Sequence, residues 1–262
     1  MKKITLVTVT YNAEDVLVPT LDSVFKQDYP AIEHIIIDGA STDNTVKLAK
    51  DYMERSFASD SGHEVRLLVE PDNGIYDAMN KGLAMATGDY ICFLNAGDSL
   101  HAADTISTML KNTITDNVEL NGCPAIIYGE TDIVDMNRQF LSHRRLSTPE
   151  NLSWKSFRSG MLVCHQAFYA RTDIAKRTPF NTLYHYSADF DWCIRIMKEA
   201  DRLQLELKNS HIVVADYLKE GTTTRHHKAS LKERFKIMAT YYGLKTTYFM
   251  HAWFTVRALI KR

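Results

Sequence analysis

The apolar run over residues 90–94 ends at Asn95, Ala96, Gly97 and Asp98, so a stretch with the aromatic and β-branched character of a strand stops at an acidic, glycine-containing turn. In open α/β sheets, ligands collect at the carboxyl ends of strands. A carboxylate there can hold a hard divalent cation, and the cation can neutralise a diphosphate. An ordinary Asn-Ala-Gly-Asp turn is the competing reading of this segment alone. Three other strand-like runs end in polar turns of similar kind: at Thr10, Tyr11 and Asn12; at Asp38, followed by Ser41, Thr42 and Asp43; and at Asp72, Asn73 and Gly74. Each polar residue in such a place can equally form a turn or cap a helix.

Four such ends act together only if a parallel sheet sets them side by side, and the order of elements predicts one. Residues 4–10 read as a strand, followed by a helical pattern with Leu17, Leu21, Val24 and Phe25 on one face. Pro30 breaks the chain before a second strand at 33–37, and a helix over 44–55 follows with Val46, Leu48 and Ala49 apolar and Asp43 or Ser41 as its cap. A third strand spans 65–69 and a helix 75–86. Strands alternating with helices over the first hundred residues indicate a doubly wound, mostly parallel sheet of the nucleotide-binding type. Further on, 125–128 and 133–134 read as strands, 138–154 as an irregular loop suited to covering a ligand, and 164–170 as another strand. Residues 190–200 read as a helix opened by Asp189 or Ser187. The stretch 231–262 is a long helical pattern, aromatic from 241 to 254 and basic at Arg257, Lys261 and Arg262.

Composition narrows the class. At 262 residues the chain accommodates one large α/β domain with a small appendage, and 45% hydrophobic with 24% charged residues is ordinary for a globular protein. A net charge of −1 argues against a dedicated nucleic-acid binder. Cys92, Cys123, Cys164 and Cys193 have no CxxC spacing, so they read as reduced core thiols rather than zinc ligands or disulfides. The basic and then apolar opening is too short and threonine-rich for a signal peptide, and reads as the first strand of a cytoplasmic protein.

Five segments in order carry a resemblance: TVTYN over 8–12, IDGASTDNT over 37–45, EPDNGIYDAMNKG over 70–82, ATGDY over 86–90 and FLNAGD over 93–98. Together they resemble the family 2 glycosyltransferases of the GT-A fold, with a flavour of bacterial enzymes of polysaccharide and lipopolysaccharide biosynthesis. The resemblance covers most of the chain. It implies a glycosyltransferase domain over 1–230, with 1–100 holding a nucleotide sugar and 101–230 the acceptor, and a helical tail over 231–262. Two departures stand out. Gly39 occupies a place where the family often has a second Asp, and the first position of the usual Asp-x-Asp metal motif is Asn95 or Ala96.

Sugar transfer from a nucleotide diphosphate needs a held nucleotide, a stabilised leaving group and a base for the acceptor hydroxyl. The resemblance implies nucleotide contacts from Thr10, Tyr11, Asn12, Asp38 and Asp72, with Lys81 as a minor phosphate candidate. It implies Mn²⁺ or Mg²⁺ at Asp98, with Asn95 and His226 as weak partners. The base falls on Asp189 and the second acid on Asp191, which is also spaced to pair with Arg195 at i,i+4. His165, Gln166 and Trp192 are candidates for the donor and acceptor pocket. Core packing is the competing use for His165 and Trp192.

The expected activity is therefore inverting transfer, most readily from a UDP-sugar, onto a glycan or lipid-linked acceptor. A non-catalytic nucleotide-sugar binding module and a nucleotidyltransferase are the alternatives. The second normally carries a Gly-rich basic loop after the first strand, which TYNAED over 10–15 lacks. The tail suits a helix on the inner face of the cytoplasmic membrane, or one packed on the enzyme itself or on a second subunit.

Overall fold

The computed structural model describes residues 1–115, 119–219 and 227–260. The first half alternates as its periodicity dictates: β1 (Ile4–Thr10), α1 (Leu17–Phe25), β2 (Ile32–Asp38), α2 (Thr45–Phe57), β3 (Glu64–Val69), α3 (Ile75–Met85) and β4 (Tyr90–Phe93). β1 and β2 are buried along their whole length, which is why they read as continuous apolar runs. They pair in parallel with Thr10 beside Asp38, and β2 pairs with β3 so that Asp38 lies beside Val69. β4 joins the other side of β1, with Phe93 beside Val7. This register brings the four polar strand ends to one edge.

The second half comprises β5 (Ser99–Leu100), α4 (Thr105–Thr113), β6 (Ile126–Val134), β7 (Phe140–His143), β8 (Phe168–Arg171), α5 (Thr172–Lys176), α6 (Ala188–Arg202) and β9 (Leu207–Leu218). α7 (His227–Tyr242) and α8 (Leu244–Ile260) follow. The strands join one sheet in the order β3-β2-β1-β4-β8-β6-β9-β5, with β7 on β6. β8 is antiparallel to both β4 and β6, β9 runs parallel to β6, and β5 is antiparallel to β9. The sheet is thus parallel through the first four strands and mixed beyond them.

Several boundaries differ from the sequence reading. The two short strands expected at 125–128 and 133–134 are one nine-residue strand, β6. Pairing with β9 carries the chain through its polar middle, with register shifts there that alternation cannot reveal. The expected loop 138–154 contains β7, which forms a hairpin with β6. The strand expected from 164 begins only at Phe168, after a 3-10 turn over His165–Ala167. The long helical pattern of the tail is two helices, because Gly243 takes φ 78° and ends α7.

An aromatic cluster fixes α6 against the sheet. Trp192 is fully buried, stacks on Phe180 with centroids 4.8 Å apart, and meets Phe93 of β4 edge-to-face at 5.5 Å. Phe180 in turn stacks on Tyr76 of α3 at 5.7 Å. Truncating such a Trp costs about 3–5 kcal/mol. Because Trp192 is locked, the first turn of α6 and the side chains it carries are held relative to the strand ends.

Candidate active site

Asp189 lies in the first turn of α6, just after Ser187 at the N-cap position. It does not cap the helix. Its Oδ1 accepts a hydrogen bond from the Tyr76 hydroxyl at 3.1 Å, and its Oδ2 lies 3.2 Å from His165 Nδ1. Burial pushes this carboxyl up, but the His165 hydrogen bond and the nearby charges of His165 and Arg234 outweigh it, so the group sits below its ordinary value. Asp189 is therefore an ionised carboxylate at a helix N-terminus, where the macrodipole also favours the anion.

His165 reaches further. Its Nε2 lies 3.1 Å from Asn95 Nδ2, at the carboxyl end of β4. With Nδ1–H donated to Asp189, Nε2 accepts the Asn95 amide when the ring is neutral, and a protonated ring instead adds its charge to the Asp189 contact. The next residue, Gln166, turns the other way and donates from Nε2 to Asp98 Oδ2 at 2.7 Å. The 3-10 turn thus touches both acidic positions that bracket the strand end.

Asp98 is 5% exposed. Besides Gln166, its carboxylate accepts the Leu218 N–H of β9 on Oδ1 at 3.0 Å. Its backbone carbonyl accepts the Thr20 hydroxyl of α1 at 2.6 Å. Burial raises the Asp98 carboxyl to about 6, against the opposing effect of these hydrogen bonds and of the His165 and Arg138 charges. Arg138 crosses over from the β6–β7 turn and donates to the Gly97 carbonyl at 2.6 Å and to the Ser99 hydroxyl. Asp98 therefore ties α1, β9 and the 3-10 turn to one loop.

A resident metal ion fits this donor set poorly. Asp98 is buried and each of its oxygens accepts one hydrogen bond, which leaves one lone pair apiece, and among the described residues no three His, Cys, Asp or Glu side chains converge on a metal position. Among the described residues Asn95 Oδ1 is buried without a hydrogen-bond partner. His226 lies outside the described residues.

The nucleotide candidates form a separate group at the ends of β1, β2 and β3. Tyr11 is 63% exposed, and Asn12, at φ 46°, accepts the Thr42 N–H on Oδ1 at 2.9 Å. Thr10 Oγ1 is buried and unpartnered. Asp38 is fully buried, with both oxygens taken by the N–H and hydroxyl of Ser41. In this arrangement it shapes the turn and presents no surface. Asp72 accepts the Gly74 N–H on Oδ1 at 2.8 Å. A Cβ added at Gly39 would stand 2.6 Å from Asp72 Oδ2 and 3.3 Å from the Tyr11 ring. The glycine that replaces a family Asp therefore makes room for the Asp72 carboxylate beside Tyr11.

Other candidates lie elsewhere. Lys81 donates to the Pro71 carbonyl at 2.7 Å and pairs with Glu70 at 2.9 Å, which engages it locally. Trp192 is inside the aromatic core, because its ring fills the space between α6 and β4, and it lines no cleft. Asp191 accepts from Arg195 Nε at 2.6 Å, as the i,i+4 spacing predicts, and from the Tyr241 hydroxyl of α7 at 2.8 Å. Sequence reasoning missed Tyr76 and Arg234. Tyr76 lies within a segment that carries the family resemblance, and its place in the first turn of α3 was the available signal. Arg234 has none, since only the return of α7 onto α6 brings it near Asp189.

Comparison with known proteins identifies the family and the fold. Residues 5–178 match the family description "Glycosyl transferase family 2". A "PGL/p-HBAD biosynthesis glycosyltransferase" of Mycobacterium bovis is 32% identical over 213 residues, covering 81% of this chain and 75% of the relative. Among solved structures, S. aureus TarS 1-349 in complex with UDP-GlcNAc superposes with a TM-score of 0.68 at 17% identity. That match covers 91% of this chain and 65% of TarS 1-349, so the chain spans slightly less than two-thirds of that length. The mannosyltransferase PcManGT from Pyrobaculum calidifontis, in complex with GDP-Man and Mn²⁺, gives 0.61 at 18% identity over 97% of this chain and 75% of its own. These likenesses establish a GT-A fold with helices on a curled central sheet. With the family match covering more than half of its residues, the chain belongs to glycosyl transferase family 2 and is a glycosyltransferase.

Proposed function

We propose that this chain transfers a sugar from a nucleotide diphosphate sugar, UDP-linked in the leading reading, to an acceptor hydroxyl with inversion at the anomeric carbon. Asp189 carries the reading: an ionised carboxylate held at two oxygens by Tyr76 and His165. Acting as general base, it takes the acceptor hydroxyl proton as the acceptor oxygen bonds to the anomeric carbon. The bond from that carbon to the diphosphate breaks, and the diphosphate leaves with the electron pair. Attack from the face opposite the leaving group inverts the centre. Tyr76 and His165 hold the carboxylate in one rotamer, so little reorganisation accompanies proton transfer.

In this reading residues 1–100 bind the donor, with Tyr11, Asn12 and Asp72 nearest the nucleotide, and residues 101–230 form the acceptor side. TarS solved with UDP-GlcNAc supports a UDP-sugar, while PcManGT solved with GDP-Man shows that the fold also accepts a guanine nucleotide. A requirement for Mn²⁺ or Mg²⁺ is supported by the Mn²⁺ in PcManGT and opposed by the burial of Asp98 with no cluster of three His, Cys, Asp or Glu side chains around it among the described residues. The acceptor is proposed as a glycan or lipid-linked hydroxyl of cell-surface polysaccharide biosynthesis at the cytoplasmic side, as the family resemblance implies.

The test is UDP release from UDP-sugars by wild type and Asp189→Asn. The variant should lose a factor of about 10²–10⁴ while a UDP-induced rise in melting temperature persists. Turnover at the wild-type rate in Asp189→Asn would remove the base from the mechanism.

A further inference from the structure

α8 presents an aromatic face that the other described residues leave uncovered. Leu244, Tyr248, Ala252 and Val256 follow one another at four-residue spacing along one ridge, and Lys245, Phe249 and Trp253 form the ridge beside it. Tyr248 is 64% exposed, Phe249 72% and Trp253 48%. The opposite side of the helix does face the body: Thr247 is buried, and Met250 and Phe254 pack against the main core. Tyr248 meets Phe235 of α7 edge-to-face at 5.0 Å, and Leu231, one turn before Phe235, is 42% exposed. The apolar surface therefore continues from α8 onto α7. Single exposed apolar side chains are common on soluble proteins, but contiguous aromatic ones mark an interaction surface.

Charge indicates what the surface meets. No acidic residue occurs from 234 to 262, whereas Lys236, Lys245, Arg257, Lys261 and Arg262 are basic, in a chain whose total charge is only −1, and Arg234 lies over the Phe190 ring of α6 instead. On the second ridge the aromatic pair follows Lys245, and in the sequence it precedes Arg257, Lys261 and Arg262. A second copy of the chain docked face to face would bring two such basic surfaces together with no anion between them. An anionic lipid surface satisfies both features, since aromatic rings enter the interface while flanking Lys and Arg meet the headgroups. Among the described residues no helix is long and apolar enough to cross a membrane, so the contact is one of lying on the surface.

We propose that α8, with the adjoining part of α7, docks this protein flat on an anionic bilayer through Tyr248, Phe249 and Trp253. The inference stands apart from the assignment of the base, because none of these three residues belongs to the candidate active site.

The full chain is sedimented with vesicles of phosphatidylglycerol and phosphatidylcholine, and separately with phosphatidylcholine alone. The expected result is binding to the anionic vesicles, weaker as salt is raised, and little binding to the neutral ones. The double substitution Phe249→Ser with Trp253→Ser should reduce that binding about tenfold or more, with an unchanged melting temperature because both rings are exposed. Failure of wild type to bind anionic vesicles overturns the proposal, as does equal binding to both compositions. A dimer in sedimentation equilibrium that the double substitution dissolves, without vesicle binding, assigns the face to a second copy instead.

Discussion

His165 Nδ1 stands 3.2 Å from Asp189 Oδ2 while the same ring, through Nε2, meets Asn95 at 3.1 Å, so one imidazole spans the β4 strand end and the candidate base. The two nitrogens have separable tasks. Asn at position 165 can place its amide near Nδ1 and keep the Asp189 contact, whereas Gln reaches toward Nε2 and keeps Asn95. His165→Asn should therefore retain kcat within about tenfold, and His165→Gln should lose about 10²-fold, in the range expected for a residue that orients a reacting group. Equal losses in both would show that the ring acts through bulk rather than through Nδ1.

The depressed Asp189 carboxyl sets a pH expectation. Burial acts to raise it, and the His165 and Arg234 interactions lower it by more. A carboxylate with a lowered folded value contributes stability above its unfolded value and loses it as pH falls through the folded one. Between about pH 5 and 8, Asp189 stays ionised, so its titration should impose no acid limb on kcat/KM there. An acid limb of kcat/KM inside that window would count against an ionised Asp189.

Asp98 behaves in the opposite sense. Its carboxyl moves from 3.8 to about 6 through burial, so between those values the folded protein binds a proton that the unfolded chain has released. Stability should then fall as pH rises through this window, by up to roughly 3 kcal/mol. Asp98→Asn should flatten that fall in urea unfolding at pH 4 and pH 8, with Gln166 turning its amide to accept from the new donor. Titration of Mn²⁺ in the presence of UDP should give the same affinity in Asp98→Asn as in wild type. A large loss would make Asp98 a metal ligand after all.

Gly39 offers a probe of the nucleotide cleft. Its substitution by Ala sets a methyl 2.6 Å from Asp72 Oδ2, and the flexible carboxylate must swing away from Tyr11. The melting temperature should hardly change, while UDP affinity falls about tenfold as one contact of about 1.4 kcal/mol is lost. Unchanged affinity would remove Asp72 from the nucleotide site.

Asp191 should prove structural. Asp191→Ala leaves Arg195 Nε and the Tyr241 hydroxyl without their carboxylate partner, at a cost of about 2–4 kcal/mol. Chemical denaturation should show that loss, with turnover per folded molecule close to wild type. A loss of turnover without a loss of stability would return Asp191 to the chemistry.

The parallel half of the fold was legible because its signals are local. Ile4 to Thr10 and the apolar stretch before Asp38 are buried on both faces and read as strands without help, and Leu17, Leu21 and Val24 mark the packed side of α1. β9 was not read at all. It is half-exposed and irregular, and it is a strand because it pairs with β6 and β5. The same division runs through the site. Residue type and order put polar groups at the four strand ends, and the family resemblance pointed to Asp189 as the base. Only the tertiary structure decided that Asp98 meets Gln166 and Leu218 and that Tyr76 and His165 share Asp189, whereas the closure of Asp38 by Ser41 is a local turn three residues long. Hydrogen-bond partners separated by 68 to 120 residues are fixed by how the sheet closes and where α6 packs, and no spacing along the chain encodes them.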